Sequence, residues 1–154
     1  MKTVLLHDNY GIDGDGHFTV GGYDTTLLAK EYGTPLYVLD EEKMRRMCRS
    51  YTQNASALFR KSKILFASKA LSFKEIYRIA DSEGLCSDTV SPGEIYTALS
   101  AGFPAEKIYF HGNNKTYDDI VYAVKSDIGY FIADNYPEID CIDEVCASYG
   151  KKAN

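Results

Sequence analysis

No stretch of this 154-residue chain approaches the roughly 18 consecutive apolar residues of a membrane-spanning helix. The apolar start Val4-Leu5-Leu6 is also too short for a secretory signal. Basic runs are missing. Seventeen Lys and Arg stand against 22 Asp and Glu, for a net charge of −5. That balance argues against nucleic acid and membrane surfaces as partners. Cysteine is sparse: Cys48, Cys86, Cys141 and Cys146, with no Cys-x-x-Cys pair. The common zinc and dithiol spacings are therefore excluded, and reduced, partly buried thiols of a cytoplasmic protein are expected. No Gly-x-Gly-x-x-Gly follows a strand, which removes the dinucleotide-binding fingerprint. Asp13-Gly14-Asp15-Gly16 starts like a calcium loop, but His17 and Phe18 stand where further ligands are due, so a tight turn between two strands is expected. Asn54-Ala55-Ser56 and Asn114-Lys115-Thr116 are chance sequons.

What remains is an ordinary globular composition, 45% hydrophobic and 25% charged. The first forty residues are Gly-rich turns among short apolar pieces. They include a short helix over Leu27 to Tyr32, a break at Gly33-Thr34-Pro35 and a strand over Leu36-Tyr37-Val38-Leu39. A helix then starts at the cap Asp40 and runs toward Arg60 and Lys61. Its apolar residues Met44, Met47, Cys48, Tyr51, Ala55 and Leu58 recur at helical spacing and predict one buried face.

From Lys63 a regular alternation begins. Apolar pieces at Ile64–Ser68, Cys86–Val90, Ile108–His111 and Tyr130–Ala133 each precede a helical stretch. Lys69, Ser91, Asn113 and Asn135 recur every 22 residues. Such βα units imply parallel strands with right-handed crossovers. Helix starts are marked by Ser72-Phe73-Lys74-Glu75, by Ser91-Pro92-Gly93-Glu94, by Thr116 with Asp119, and by Pro137. The fold class expected is α/β: a partial (β/α)8 TIM-like barrel of about four units, residues 41–154, preceded by a β-rich segment, residues 1–40. Four units do not close an eight-stranded barrel, so the chain is expected to be the N-terminal part of a longer enzyme.

In such barrels the active site lies at the C-terminal ends of the strands. That places Lys69, Ser91 with Glu94, His111 to Lys115, and Asp134-Asn135 on one rim. Lys69 ends an apolar strand. It is either an amine that attacks carbonyls or a lysine reaching to solvent. Glu94 has a sufficient role as partner of Ser91 in a capping box. Asp88, inside a strand, is either a hydrogen-bond hub or part of a charged site. His111 is either a cofactor neighbour or a polar rim residue, and Asn113-Asn114-Lys115 fits a plain loop.

Several strings carry a resemblance. They are Tyr32-Gly33-Thr34-Pro35-Leu36-Tyr37-Val38, Phe66-Ala67-Ser68-Lys69-Ala70, Ser87-Asp88-Thr89-Val90-Ser91-Pro92-Gly93-Glu94, Ala101-Gly102-Phe103-Pro104, and Ile108-Tyr109-Phe110-His111-Gly112-Asn113-Asn114-Lys115. In this order, over nearly the whole chain, they resemble the alanine-racemase-like (fold-type III) decarboxylases that use pyridoxal 5'-phosphate. The His-Gly-Asn-Asn-Lys block points to the diaminopimelate branch rather than the ornithine and arginine branches. The resemblance implies that Lys69 carries the cofactor through a Schiff base, with Ala67, Asp88, Glu94 and His111 around it. It implies decarboxylation of meso-diaminopimelate to L-lysine by a cytoplasmic homodimer with sites at the subunit interface. Two departures stand out: Leu71 follows Ala70 where the family has Asn, and Pro92 replaces a frequent Gly. The family's ring-stacking histidine, Gly-rich phosphate loop and acid facing the pyridine nitrogen have no counterpart among these 154 residues. The chain alone is therefore expected to turn over little or no substrate. The other readings are a decarboxylase of another basic amino acid, and a non-catalytic fragment or regulatory relative.

Overall fold

The computed structural model describes residues 7–154, so the apolar start Val4-Leu5-Leu6 lies outside the described residues. Two compact units are present, one reaching to Met47 and the other running from Cys48 to Asn154.

The first unit holds a three-stranded antiparallel sheet, β1 (Tyr10–Ile12), β2 (Phe18–Val20) and β3 (Tyr23–Asp24). Ile12 pairs with Phe18, so residues 13–17 form the connecting turn, as the sequence predicts. Asp13 Oδ1 holds that turn by accepting the backbone N–H of Asp15 at 3.0 Å and of His17 at 2.8 Å. Asp24 caps α1 (Thr25–Tyr32) by accepting from Thr26, and Gly33, at φ +81°, ends it. His17 Nδ1 lies 2.8 Å from Asp24 Oδ2 and ties the turn to the helix start. Hydrogen bonds from the Thr26 hydroxyl, then from His17, hold the Asp24 carboxyl at about 2, and the Asp24 contact raises His17.

The strand expected at Leu36–Leu39 does not form. This segment pairs with no strand among the described residues, and its four side chains are exposed. Apolar, extended residues make a strand only when a neighbour satisfies their N–H and C=O groups.

The long helix α2 (Glu41–Leu58) starts as expected, with Asp40 Oδ1 accepting from the Lys43 backbone N–H at 2.9 Å. Its predicted buried face is not buried. Only Cys48 is enclosed, while Tyr51 is 60% and Leu58 77% exposed. Helical spacing determines which residues share a face, not whether that face is covered.

In the second unit, β4 (Leu65–Ala67), β5 (Cys86–Thr89), β6 (Ile108–Phe110) and β7 (Tyr130–Phe131) form a parallel sheet in chain order. Each strand precedes a helix: α3 (Lys74–Ser82), α4 (Pro92–Ser100), α5 (Tyr117–Lys125) and α6 (Tyr136–Ser148). The four predicted βα units are therefore all present, with strands one or two residues shorter than their apolar runs.

The register explains why the sequence repeat signals a barrel. Leu65 pairs with Cys86, Ser87 with Ile108 and Tyr109 with Tyr130, each partner 21 residues further on. The repeat of Lys69, Ser91, Asn113 and Asn135 is 22. Those four rim positions thus advance one position per strand relative to the pairing register. That offset equals the shear of an eight-stranded barrel, eight residues over eight strands.

Alternation along the strands separates two faces. Ser87, Thr89, Ile108 and Phe110 are buried, and the helices bring Ile76, Ile79, Ile95, Ile120 and Val145 as further core. Ile120, Val124, Ile142, Val145 and Cys146 make one apolar cluster, against which Phe131 packs. Phe66, Tyr77 and Phe103 meet edge to face at centroid distances of 6.4 and 5.9 Å. The opposite face carries the row Ala67, Asp88, Tyr109 and Tyr130.

One cap differs from expectation. Ser72 does not cap α3: the helix begins at Lys74 after Phe73, which makes no side-chain cap. The Ser72 hydroxyl instead meets the Tyr77 hydroxyl at 2.9 Å. A buried phenol needs a partner more than a solvated helix end does. Thr116 and Asp119, by contrast, form a complete capping box. Among the described residues no helix is long and apolar enough to cross a membrane.

Candidate active site at the C-terminal ends of the parallel strands

The four stations spaced by the repeat lie where their strands end. Lys69 sits in the single helical turn Ser68–Ala70 directly after β4. Ser91 is the N-cap of α4 and Asn135 that of α6. Asn113 lies in the loop leaving β6. A cavity of about 500 Å³ joins all four strand exits, lined by Lys69, Val90, Asn113 and Asp134 together with residues 110–112, 114, 115 and 119. Its size falls within the ~300–1,000 Å³ of small-molecule sites.

Lys69 reaches this cavity with an amine that makes no hydrogen bond or ion pair among the described residues. The residue before it is fixed. Ser68 is fully buried, and its hydroxyl lies 2.5 Å from Glu94 Oε2 and 2.9 Å from the Asp88 carbonyl oxygen. Glu94 also accepts from the Val90 backbone N–H at 3.1 Å and from the Ser91 hydroxyl at 3.2 Å. The capping box expected at Ser91 is therefore only half formed. Ser91 accepts from the Glu94 N–H, while the Glu94 carboxylate turns to the strand ends of β4 and β5. Glu94 does not line the cavity; it holds the backbone from which Lys69 projects.

Ala67 is paired in register with Asp88, two residues before Lys69 and on the row that also carries Tyr109. Asp88 Oδ1 is buried and has no hydrogen-bond partner. The nearest cationic candidate is His111 Nδ1 at 3.4 Å, without hydrogen-bond geometry. An unpaired buried carboxylate oxygen is costly and marks a site built for more than packing. His111 lines the cavity with about half its side chain exposed, and its backbone N–H donates to the Thr89 carbonyl at 2.8 Å.

Sequence reasoning passed over two clusters. Lys115 and Glu138 form a buried ion pair at the cavity wall. Lys63 donates to the hydroxyls of Tyr109 at 3.1 Å and Tyr130 at 3.2 Å, whose rings stack 4.2 Å apart. These hydrogen bonds raise Lys63 and lower the Tyr130 phenol. Lys115 and Glu138 stand about one repeat apart, which is the signal that could have paired them. The cysteines are free thiols, and burial pushes Cys86, Cys141 and Cys146 up, away from the reactive thiolate.

Residues 41–153 match the family described as pyridoxal-dependent decarboxylase, pyridoxal binding domain. The chain is 43% identical over 151 residues to diaminopimelate decarboxylase of Bacillus methanolicus, covering 98% of this chain and 35% of that protein. It is 41% identical over 147 residues to that of Bacillus subtilis, covering 96% and 34%. The crystal structure of diaminopimelate decarboxylase from M. jannaschii in co-complex with L-lysine superposes with a TM-score of 0.83 at 34% identity, covering 96% of this chain and 35% of that one. The chain thus spans about a third of the length of the relatives it matches.

Proposed function

The chain belongs to the pyridoxal-dependent decarboxylases, and on that premise we propose that it forms the pyridoxal-binding part of an enzyme converting meso-diaminopimelate to L-lysine and carbon dioxide. The observation that carries this reading is the amine of Lys69, without a partner among the described residues, at a cavity on the strand-end rim. The relatives' activity and the lysine bound to the M. jannaschii enzyme support the substrate. Residues 41–154 are assigned to the first half of the barrel and residues 1–40 to a β-rich domain.

The residues present fit the cofactor. Lys69 offers an unengaged amine, and Asp88 offers a buried oxygen lacking a hydrogen bond beside His111. Lys69 would hold pyridoxal phosphate covalently, flanked by Ala67, Asp88 and His111. When bound, the cofactor supplies an electron sink for the pair left as carbon dioxide departs. The chain's own work is to orient and to handle protons. Glu94 and Ser68 fix the turn that carries Lys69. Lys69 is the residue that would hold the cofactor, and when freed from it the amine would be placed to hold and return a proton. Asp88 and His111 supply a carboxylate and an imidazole for the polar network beside it. The family relationship further supports a cytoplasmic homodimer with sites between subunits.

Pyridoxal phosphate added to the chain should give a visible absorbance that borohydride removes while fixing the label on Lys69, and Lys69→Ala should abolish the label. A label elsewhere would sink the assignment. Carbon dioxide release from meso-diaminopimelate but not ornithine is expected of the enzyme that contains this chain. The 154 residues alone should turn over little, and a native mass of one such chain in an active protein would overturn the dimer and the longer enzyme together.

A further inference from the structure

Two lysines line the rim cavity, and their surroundings differ sharply. Among the described residues Lys69 Nζ has no partner. Lys115 Nζ has three: the carbonyls of Gly112 at 2.7 Å and Ile132 at 2.9 Å, and Glu138 Oε1 at 2.5 Å. An ammonium has three N–H groups, so the set is complete. The Lys115 side chain is 2% exposed and that of Glu138 6%.

The acceptors come from three different segments. Gly112 belongs to the loop after β6, Ile132 to the exit of β7, and Glu138 to the first turn of α6, where its N–H is held by Asn135 Oδ1 at 3.0 Å. Little else defines this wall. β7 is two residues long, and the last β6–β7 hydrogen bond runs from the Ile132 N–H to the Phe110 carbonyl. Gly112 turns at φ +117°, with its missing Cβ position 3.5 Å from the Val90 carbonyl oxygen. The loop's first residue is tied to β5 through the His111 N–H on the Thr89 carbonyl; beyond it, among the described residues, the side-chain hold on the loop is the Lys115 nitrogen. A buried ion pair pays a desolvation cost that apolar residues of equal volume avoid, so its advantage lies in geometry rather than in stability.

We propose that the Lys115–Glu138 pair is a positioning device for the rim: it clamps the His111–Asn114 loop to the exit of β7, setting His111 beside Asp88 and leaving Lys69 as the cavity lysine open to a carbonyl. The Lys69 half of this statement rests on the function proposed above; the loop half does not.

Lys115→Met, Glu138→Gln and the double variant Lys115→Met/Glu138→Leu test it in the 154-residue chain. Three readouts are needed: the thermal midpoint, the NMR resonances and titration of the His111 ring, and the rate of borohydride-fixed labelling by pyridoxal phosphate. The double variant removes both charges and should recover the midpoint lost in Lys115→Met. Its His111 resonances should stay displaced, and its labelling should be slower by on the order of tenfold, as expected for a misplaced reacting group. Recovery of all three readouts in the double variant would reduce the pair to packing and overturn the proposal. An unshifted His111 in a folded Glu138→Gln variant would do the same. If Lys115→Met fails to fold, Glu138→Gln and the double variant decide. A wild-type chain that takes no label at Lys69 counts against the proposed function, while the His111 resonances still decide whether the clamp exists.

Discussion

Glu94→Ala removes the acceptor of three donors while leaving the cavity wall untouched. The Val90 N–H is the most affected, since Glu94 Oε2 at 3.1 Å is its acceptor and the site is half-buried. Stranding such a donor costs about 1–3 kcal/mol, and the lost Ser91 hydroxyl bond adds roughly 1 kcal/mol. Ser68 is cushioned, because its hydroxyl already lies 2.9 Å from the Asp88 carbonyl and can donate there instead. The expected loss is therefore about 2–4 kcal/mol, against roughly 1 kcal/mol for Ser68→Ala. Glu94→Gln keeps an acceptor for Val90 and should cost about 1 kcal/mol. Urea unfolding followed by circular dichroism reads these values. In the double variant Ser68→Ala/Glu94→Ala the coupling should stay near 1 kcal/mol, since the hydroxyl has a second acceptor. A Glu94→Ala loss within about 0.5 kcal/mol, the range of ordinary surface substitutions, would refute the role given to this carboxylate.

Other outcomes follow from groups away from the rim. His17 is raised by Asp24, so its contribution is full below the unfolded value of about 6.5 and is lost as pH rises through the folded one. Asp24, held at about 2, contributes above about 3.8 and loses its contribution as pH falls toward 2. The clamp between turn and helix should thus be strongest from about pH 4 to 6.5; an NMR midpoint for His17 at or below 6.5 would contradict the contact. Tyr130 is lowered by Lys63, so Lys63→Met should move the earliest tyrosinate absorbance to higher pH, and an unchanged titration would count against that hydrogen bond. Tyr77→Phe deletes the hydroxyl that meets Ser72 and should cost about 1 kcal/mol in urea unfolding, where a neutral result would show the contact to be idle.

The sequence revealed the parts of the fold that repeat or are local. A fixed spacing of Lys69, Ser91, Asn113 and Asn135 was enough to foresee four βα units, and the cavity draws its lining from around those stations. The turn at Asp13 was visible because the aspartate bonds its own neighbours. Misreadings arose where burial and tertiary contacts decide the partner. Ser72 looked like a cap because Glu75 follows it, but its hydroxyl went to a buried phenol. Leu36–Leu39 and the apolar face of α2 had the right residues without the burial they predict. Lys115 looked like loop because nothing near it in sequence announces Glu138. The carboxylate of Glu94 was legible as a cap partner, yet its reach to Ser68 depends on β4 and β5 lying side by side.

The one-residue difference between the sequence repeat and the sheet register works as a vernier. Lys69, Ser91, Asn113 and Asn135 each stand one notch further along than the pairing register, which keeps successive rim positions level. One inserted residue between Phe110 and His111 would shift the loop a full notch and displace His111 from Asp88. The same insertion before a strand, in the helix-to-strand connection, can be absorbed outside the sheet. Indels in this chain should therefore be tolerated according to which end of a strand they adjoin.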